Sequence, residues 1–240
     1  MQNRYPQRPG AEFILKQAFF YWNKTLIFQL MFSIVFFAMF FTSMFFFAER
    51  YGIWEQNQEL AEVLKQGSKA YMEKLSALAA TENYQMFSYA ILGTSVFLFP
   101  LNLGLFQIFR KIDLNEKIEL RDLFVGYNGF NFFKYAGYYL FWAMIYRMGI
   151  PTVFLAVLWV SVTVFVAPLM FFMNKGIFEA ISLNFKALRV YSVQIWVGIL
   201  VAIAFKYAGF ALFLVGGLFT FPFWNAMVYS LYKTIFSEKQ

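Results

Sequence analysis

The chain has 240 residues, of which 61% are hydrophobic and 14% are charged, and its formal net charge is +7. Soluble domains carry roughly a quarter charged residues, so this composition indicates an integral membrane protein. The chain contains no Cys and no His, which excludes disulfides, thiol nucleophiles and nearly every zinc or haem site. We therefore predict no metal and no other cofactor.

Six apolar segments predict transmembrane helices, because about 20 apolar residues in a helix cross the hydrocarbon core of a bilayer. The predicted spans are about 25–48, 86–109, 131–148, 151–173, 191–207 and 210–232. The last four come from two long apolar regions, each with one internal cation, Arg147 or Lys206. The sequence thus predicts an all-α polytopic fold, one membrane domain over 1–240 built from three transmembrane hairpins.

The distribution of Lys and Arg predicts the orientation of the hairpins. The side that holds both termini carries 14 of these residues and the opposite side carries 6. Cytoplasmic loops of membrane proteins carry the excess of positive charge, so both termini are expected in the cytoplasm and the protein in the bacterial inner membrane. The cations lie at segment ends rather than in one stripe, so we expect membrane lipids as partners and no nucleic acid.

An internal repeat accompanies the hairpins. Each hairpin follows a short amphipathic segment that ends in a basic residue, and each has one proline in its second helix. The basic residues are Lys24, Lys134 and Arg189, and the prolines are Pro100, Pro168 and Pro222. Such segments can lie along the headgroup boundary as interfacial amphipathic helices, and the prolines are expected to bend their helices.

Residues 49–85 form the one sizeable polar stretch between spans and are predicted to be an extracytoplasmic helical insertion. Leu60, Leu64 and Leu78 fall on one helical face of it. One interpretation is a helical cap over the outer ends of the bundle. The alternative is a surface that docks another membrane or envelope protein.

The candidate ligand sites are few, and no residue is predicted to be catalytic. Arg147 and Lys206 lie at predicted hairpin tips, where a long side chain can snorkel to water or bind an anionic ligand or lipid headgroup. Asn102 and Asn225 follow two of the prolines, where they can bond across helices or line a site. Arg189, at the end of an amphipathic segment, is a further candidate for a lipid headgroup.

Three stretches carry a family resemblance: IELRDLFVGYNGF at 118–130, FEAISLNFKAL at 178–188 and LVGGLFTFPFWNAMVYSLY at 214–232. They resemble segments of bacterial six-helix integral membrane proteins of unknown function, related to the membrane domain of glycerophosphodiester phosphodiesterases. The resemblance implies the six-helix architecture. It transfers no catalytic residue, because that family has no established common activity.

The leading functional hypothesis is a non-enzymatic accessory, scaffold or lipid-interacting protein. A transporter or channel for a small solute or a lipid is the first alternative, and it predicts a cavity near Asn102, Asn225, Gln29 and Gln194. A membrane enzyme acting on lipids is the second alternative and requires carboxylates that converge at one interface. Its candidates are Asp113, Glu116, Glu119, Asp122 and Glu179.

Overall fold

The computed structural model describes residues 9–211 and 214–236. Every regular element in these residues is a helix, which confirms the all-α prediction. The α-helices are α1 (Ala11–Lys24), α2 (Leu26–Arg50), α3 (Ile53–Leu64), α4 (Ser68–Ala79), α5 (Glu82–Leu98), α6 (Leu101–Asp113), α7 (Asn131–Gly149), α8 (Val153–Thr163), α9 (Val166–Phe172), α10 (Ile177–Ala211), α11 (Leu214–Thr220) and α12 (Phe223–Phe236). A 3₁₀ helix covers Leu120–Tyr127.

The chain divides into two compact units. The first unit consists of the described residues up to 34 together with those from 99 onward, and it contains α1, α6 to α12 and the 3₁₀ helix. The second unit is 35–98. In the second unit α3 and α4 form a helical hairpin around Gly67, which has a positive φ of 122°, and both contact α5. Leu60 and Leu78 of that hairpin are buried, whereas Leu64 is exposed.

Four helical stretches of the described residues are long and apolar enough to cross a membrane. They are Leu26–Arg50, Glu82–Asp113, Val153–Phe172 and Ile177–Ala211. They overlap the predicted spans at about 25–48, 86–109, 151–173 and 191–207. The membrane class of the protein therefore rests on four helices rather than on the six that the sequence predicts.

The other two predicted spans are helical but do not meet the same criteria. α7 occupies 131–148, and its two cations and four tyrosines lower its hydropathy. The region 210–232 is divided between α11 and α12 by a turn at Phe221 and Pro222, so neither piece is as long as a bilayer core is thick. Residues 212–213 of that region lie outside the described residues.

The three amphipathic segments differ in structure. α1 is a separate helix that buries Ile14, Ala18 and Tyr21 along one face. The second segment forms the 3₁₀ helix, whose start is tightened by a capping box between Glu119 and Asp122. The third segment forms the first part of α10. A kink at Tyr191, whose backbone angles are not helical (φ −120°, ψ 30°), separates it from the rest of α10.

Helical stretches are interrupted close to each of the three prolines. Pro100 lies between α5 and α6, and Pro222 lies between α11 and α12. The gap between α8 and α9 begins at Val164, four residues before Pro168. A proline has no N–H to give to the carbonyl of the preceding turn, and its ring clashes with that carbonyl. This explains why the gap begins one turn before Pro168.

Asn184 of α10 bridges the gap between α8 and α9. Its side chain is fully buried; the Oδ1 atom accepts the N–H of Phe165 at 2.7 Å, and Nδ2 donates to the carbonyl of Ser161 at 2.9 Å. In a continuous α-helix these two backbone groups would bond to each other, because the N–H of residue i pairs with the C=O of residue i−4. One helix therefore inserts an amide into the hydrogen-bond ladder of its neighbour.

Glycines allow the 3₁₀ helix to lie directly on α6. A Cβ atom on Gly104 would overlap the backbone carbonyl of Leu123, and a Cβ on Gly126 would overlap the carbonyl of Pro100. Both neighbours are backbone atoms, which cannot move aside as a flexible side chain can. The two elements can approach this closely only because both positions are glycine.

Candidate functional site

A cavity of about 370 Å³ lies among α6, α7, α8, α10 and α12 of the first unit. Its volume falls within the usual size range of ligand pockets. Asn102, Asn225 and Lys206, three of the candidates from the sequence, line this cavity. Gln29 and Gln194, which the transporter hypothesis expected there, do not line it.

One wall of the cavity is a continuous row of stacked rings. Phe99 stacks on Tyr139 with ring centroids 4.6 Å apart, Tyr139 stacks on Trp142 at 5.7 Å, and Trp142 stacks on Tyr146 at 4.9 Å. The three α7 residues occupy positions i, i+3 and i+7, which share one helical face. The row gives the cavity a rigid surface suited to hydrocarbon and to apolar ring systems.

The polar part of the cavity is built from side-chain amides at two of the helix interruptions. Asn225 Nδ2 donates to Asn102 Oδ1 at 3.0 Å, joining α12 to α6. Asn102 Nδ2 in turn donates to the carbonyl of Phe99 at 2.8 Å. The two asparagines thus bond to each other across helices and also line the cavity.

Lys206 supplies the positive charge of the cavity. Its Nζ lies 4.5 Å from the centroid of the Phe221 ring, and among the described residues it makes no ion pair with a carboxylate. A cation over a ring is stabilised by the ring quadrupole, but a desolvated ammonium ordinarily requires a counter-charge as well. The ammonium is thus available to an anion that enters the cavity.

An apolar groove of about 250 Å³ adjoins the cavity between α7, α8 and α10. The cavity and the groove share Tyr146, Val160 and Ile203 as lining residues. The groove also includes Val153 and Val157, which are 75% and 42% exposed. The groove therefore opens on the outer surface of the first unit, and a molecule lying in it would reach the cavity.

A second polar cluster connects α1, α6 and α12. Asp113 Oδ1 accepts hydrogen bonds from the Tyr21 hydroxyl at 2.5 Å and from Lys233 Nζ at 2.7 Å, and its Oδ2 accepts from the Tyr229 hydroxyl at 2.7 Å. Lys233 Nζ also donates to the Tyr21 hydroxyl at 2.9 Å. Burial, and then the hydrogen bond and charge of Asp113, raise the pKa of Tyr21 above its usual 10.0. The tyrosine keeps its proton, and the cluster ties three helices together.

Two of the predicted ligand residues lie away from the cavity and the groove. Arg147 is in the last turn of α7 and is exposed. Arg189 is also exposed, with its guanidinium carbon 4.5 Å from the Phe185 ring centroid. The structure therefore brings together Lys206 and the two asparagines and leaves both arginines on the surface of the first unit.

Four of the five carboxylates proposed for a lipid-acting enzyme are tied to separate basic partners, and the fifth, Glu116, is exposed. Asp113 pairs with Lys233, and Asp122 pairs with Lys111 at 2.8 Å. The other two with an ion pair are Glu119, which meets Arg121, and Glu179, which meets Lys175. Within 9–211 and 214–236, no group of three or more acidic residues is placed to bind a metal ion.

Sequence reasoning missed the aromatic wall and the Asp113 cluster. The i, i+3, i+7 spacing of Tyr139, Trp142 and Tyr146 was visible in the sequence and could have revealed the wall. The pairing of Asp113 with Lys233 had no comparable signal, because the two residues are 120 positions apart.

Comparison with known proteins gave no match: no protein-family model, no curated protein and no solved structure shows significant similarity to the chain.

Proposed function

We propose that the protein is a non-enzymatic, lipid-interacting component of the bacterial inner membrane that holds a lipid in its first unit. The observation that carries this proposal is the junction of the ring-lined cavity with the apolar groove, through Tyr146, Val160 and Ile203. A groove open on a membrane-facing surface admits molecules that already lie in the bilayer. The adjoining cavity then offers polar groups that hydrocarbon alone does not need.

The proposal includes an arrangement of six crossings with both termini in the cytoplasm. Four candidate spans support it directly. α7, with 19 residues, is about 28 Å long, close to the thickness of a bilayer core. α11 and α12 together supply the sixth crossing. The excess of Lys and Arg on the side of the termini supports the orientation.

The edges of the first unit support contact with lipid headgroups. Phe20, Phe130 and Phe185 lie four residues before the basic ends of the three amphipathic segments, and all three are exposed. Exposed phenyl rings beside cations are the composition that interfacial segments use to lie at the headgroup boundary. Lipid contact along this edge is therefore part of the proposal.

The experiment uses the full chain purified in mild detergent, with retained phospholipid measured by native mass spectrometry. In the V157W variant an indole fills the groove, and we expect it to retain less lipid than the wild type. The matched control is V193W, because Val193 is a 68% exposed valine on α10 that lines neither the cavity nor the groove. Equal retention by V157W, V193W and the wild type would refute the proposal.

Transport is the second candidate function, and the Asn102–Asn225 pair favours it. The two amides lie at helix interruptions, and transporters use interrupted helices to bind substrates inside the bilayer. In liposomes that contain the purified protein, a transporter would move labelled lipid between the two leaflets. A protein that only binds lipid would leave the label where it was.

Two further expectations from the sequence belong to the same proposal. We propose that the hairpin of α3 and α4 in the second unit binds another membrane or envelope protein. The resemblance to six-helix proteins related to the membrane domain of glycerophosphodiester phosphodiesterases also remains a prediction. Cross-linking from exposed positions of that hairpin, followed by identification of captured proteins, tests the first expectation.

A further inference from the structure

We infer that the lipid held by the first unit has an anionic headgroup, which Lys206 selects from within the cavity while an acyl chain lies in the groove. This inference rests on the proposed function and adds the chemical class of the ligand. It follows from three properties of the site, which are the isolated charge, the amides beside it and the division of the site into a polar and an apolar part.

The first property is the charge of Lys206. Apart from contact with the Phe221 ring, its ammonium has no anionic partner among the described residues. Removing an unpaired charge from water is unfavourable, even in part. A negatively charged headgroup supplies the missing partner.

The second property is the pair of amides. Asn102 and Asn225 line the same cavity as Lys206 and are bonded to each other at 3.0 Å. An amide NH₂ has two donor hydrogens, and the Asn225–Asn102 bond uses one of the two on Asn225. A phosphate or carboxylate oxygen can accept the other donor, so the cavity offers hydrogen bonds as well as charge.

The third property is the separation of the site into a polar part, the cavity, and an apolar part, the groove. An acyl chain leaves lipid and enters an apolar groove with little change in environment, because lipid tails are as apolar as the side chains that replace them. The groove therefore contributes little to discrimination between lipids. Discrimination falls to the headgroup, where a desolvated ammonium meets an anion and a charge-assisted hydrogen bond forms.

The experiment titrates the purified full chain with four lipids and follows binding by native mass spectrometry. The four lipids are phosphatidylglycerol, oleate, phosphatidylethanolamine and diacylglycerol. Phosphatidylglycerol and oleate separate the two sources of negative charge, a phosphodiester and a carboxylate. We expect the wild type to prefer at least one of them over the zwitterionic and neutral lipids, and K206M to bind the preferred lipid roughly 10- to 100-fold more weakly.

The control is K69M. Lys69 is an exposed lysine of α4 in the second unit, and it lines neither the cavity nor the groove. We expect K69M to keep the wild-type preference, and K206R to retain most of it. Misfolding is excluded by a thermal melt without lipid. There K206M should match or exceed the wild type, because an unpaired, half-buried charge has been removed.

The outcomes separate this inference from the proposed function. Lipid binding without a preference for negative charge, or an unchanged preference in K206M, overturns the inference and leaves lipid binding intact. Failure of the wild type to retain any of the four lipids overturns both. A preference that is lost in K206M and kept in K69M supports both.

Discussion

Replacing Asn184 with Ala tests the amide inserted between α8 and α9. The change removes two hydrogen bonds, to the N–H of Phe165 and to the C=O of Ser161, and leaves both backbone groups without that partner. A hydrogen bond contributes about 1 kcal/mol net, and a buried polar group left unpaired costs about 1–3 kcal/mol. We expect a loss of about 3 kcal/mol.

For a chain of this size, about 3 kcal/mol corresponds to a fall of about 6–12 °C in apparent Tm. The measurement is a thermal melt in mild detergent, followed by circular dichroism. The control is N128A, because Asn128 is exposed and its loss should change the melt little. An unchanged Tm in N184A would mean that Phe165 and Ser161 close the ladder by themselves, and the reasoning would fail.

Other predictions concern packing, pH and orientation. G104A should lower the apparent Tm, because its methyl group meets backbone of the 3₁₀ helix, whereas G137A should not, because open space surrounds that position. The raised pKa of Tyr21 means that its contribution to stability is complete below pH 10 and is lost as the pH rises above that value, so Y21F should weaken the decline in alkaline melts. The chain has no Cys, so single cysteines can be introduced at the exposed positions Ser76 and Asn128. Added outside intact inner-membrane vesicles, a membrane-impermeant maleimide should label only one of these two variants. Labelling of both from one side would contradict the six-crossing arrangement.

The sequence predicted the fold where local composition decides the outcome. Apolar runs identify helices, and the prolines lie close to interruptions of helices. It failed where tertiary contacts decide. The second amphipathic segment becomes a 3₁₀ helix pressed on α6 at Gly104 and Gly126, a contact that the segment's own sequence does not reveal. α7 has the length of a span, but its four tyrosines lower its hydropathy, and three of them line the cavity.

The candidate site was predictable in part for the same reason. Lys206 and the two asparagines stood out because polar groups are rare in apolar runs. Asn184 did not stand out, because it belongs to a segment rich in polar residues, where a buried amide resembles an exposed one. Its role depends on Phe165 and Ser161, 19 and 23 positions away, and no local pattern encodes that pairing.

The Asp113 cluster joins the first and last described helices of the chain, so it cannot form until translation has reached α12. Tyr21 and Lys233 are 212 positions apart, so at about 5–20 residues per second the ribosome needs about 10–40 s to add the second after the first. During that interval the inner face of α1, with Ile14 and Ala18, has no α12 to cover it. α1 is therefore made well before its partner α12. Binding to the membrane surface would cover the apolar face of this amphipathic helix during the interval and protect it from aggregation.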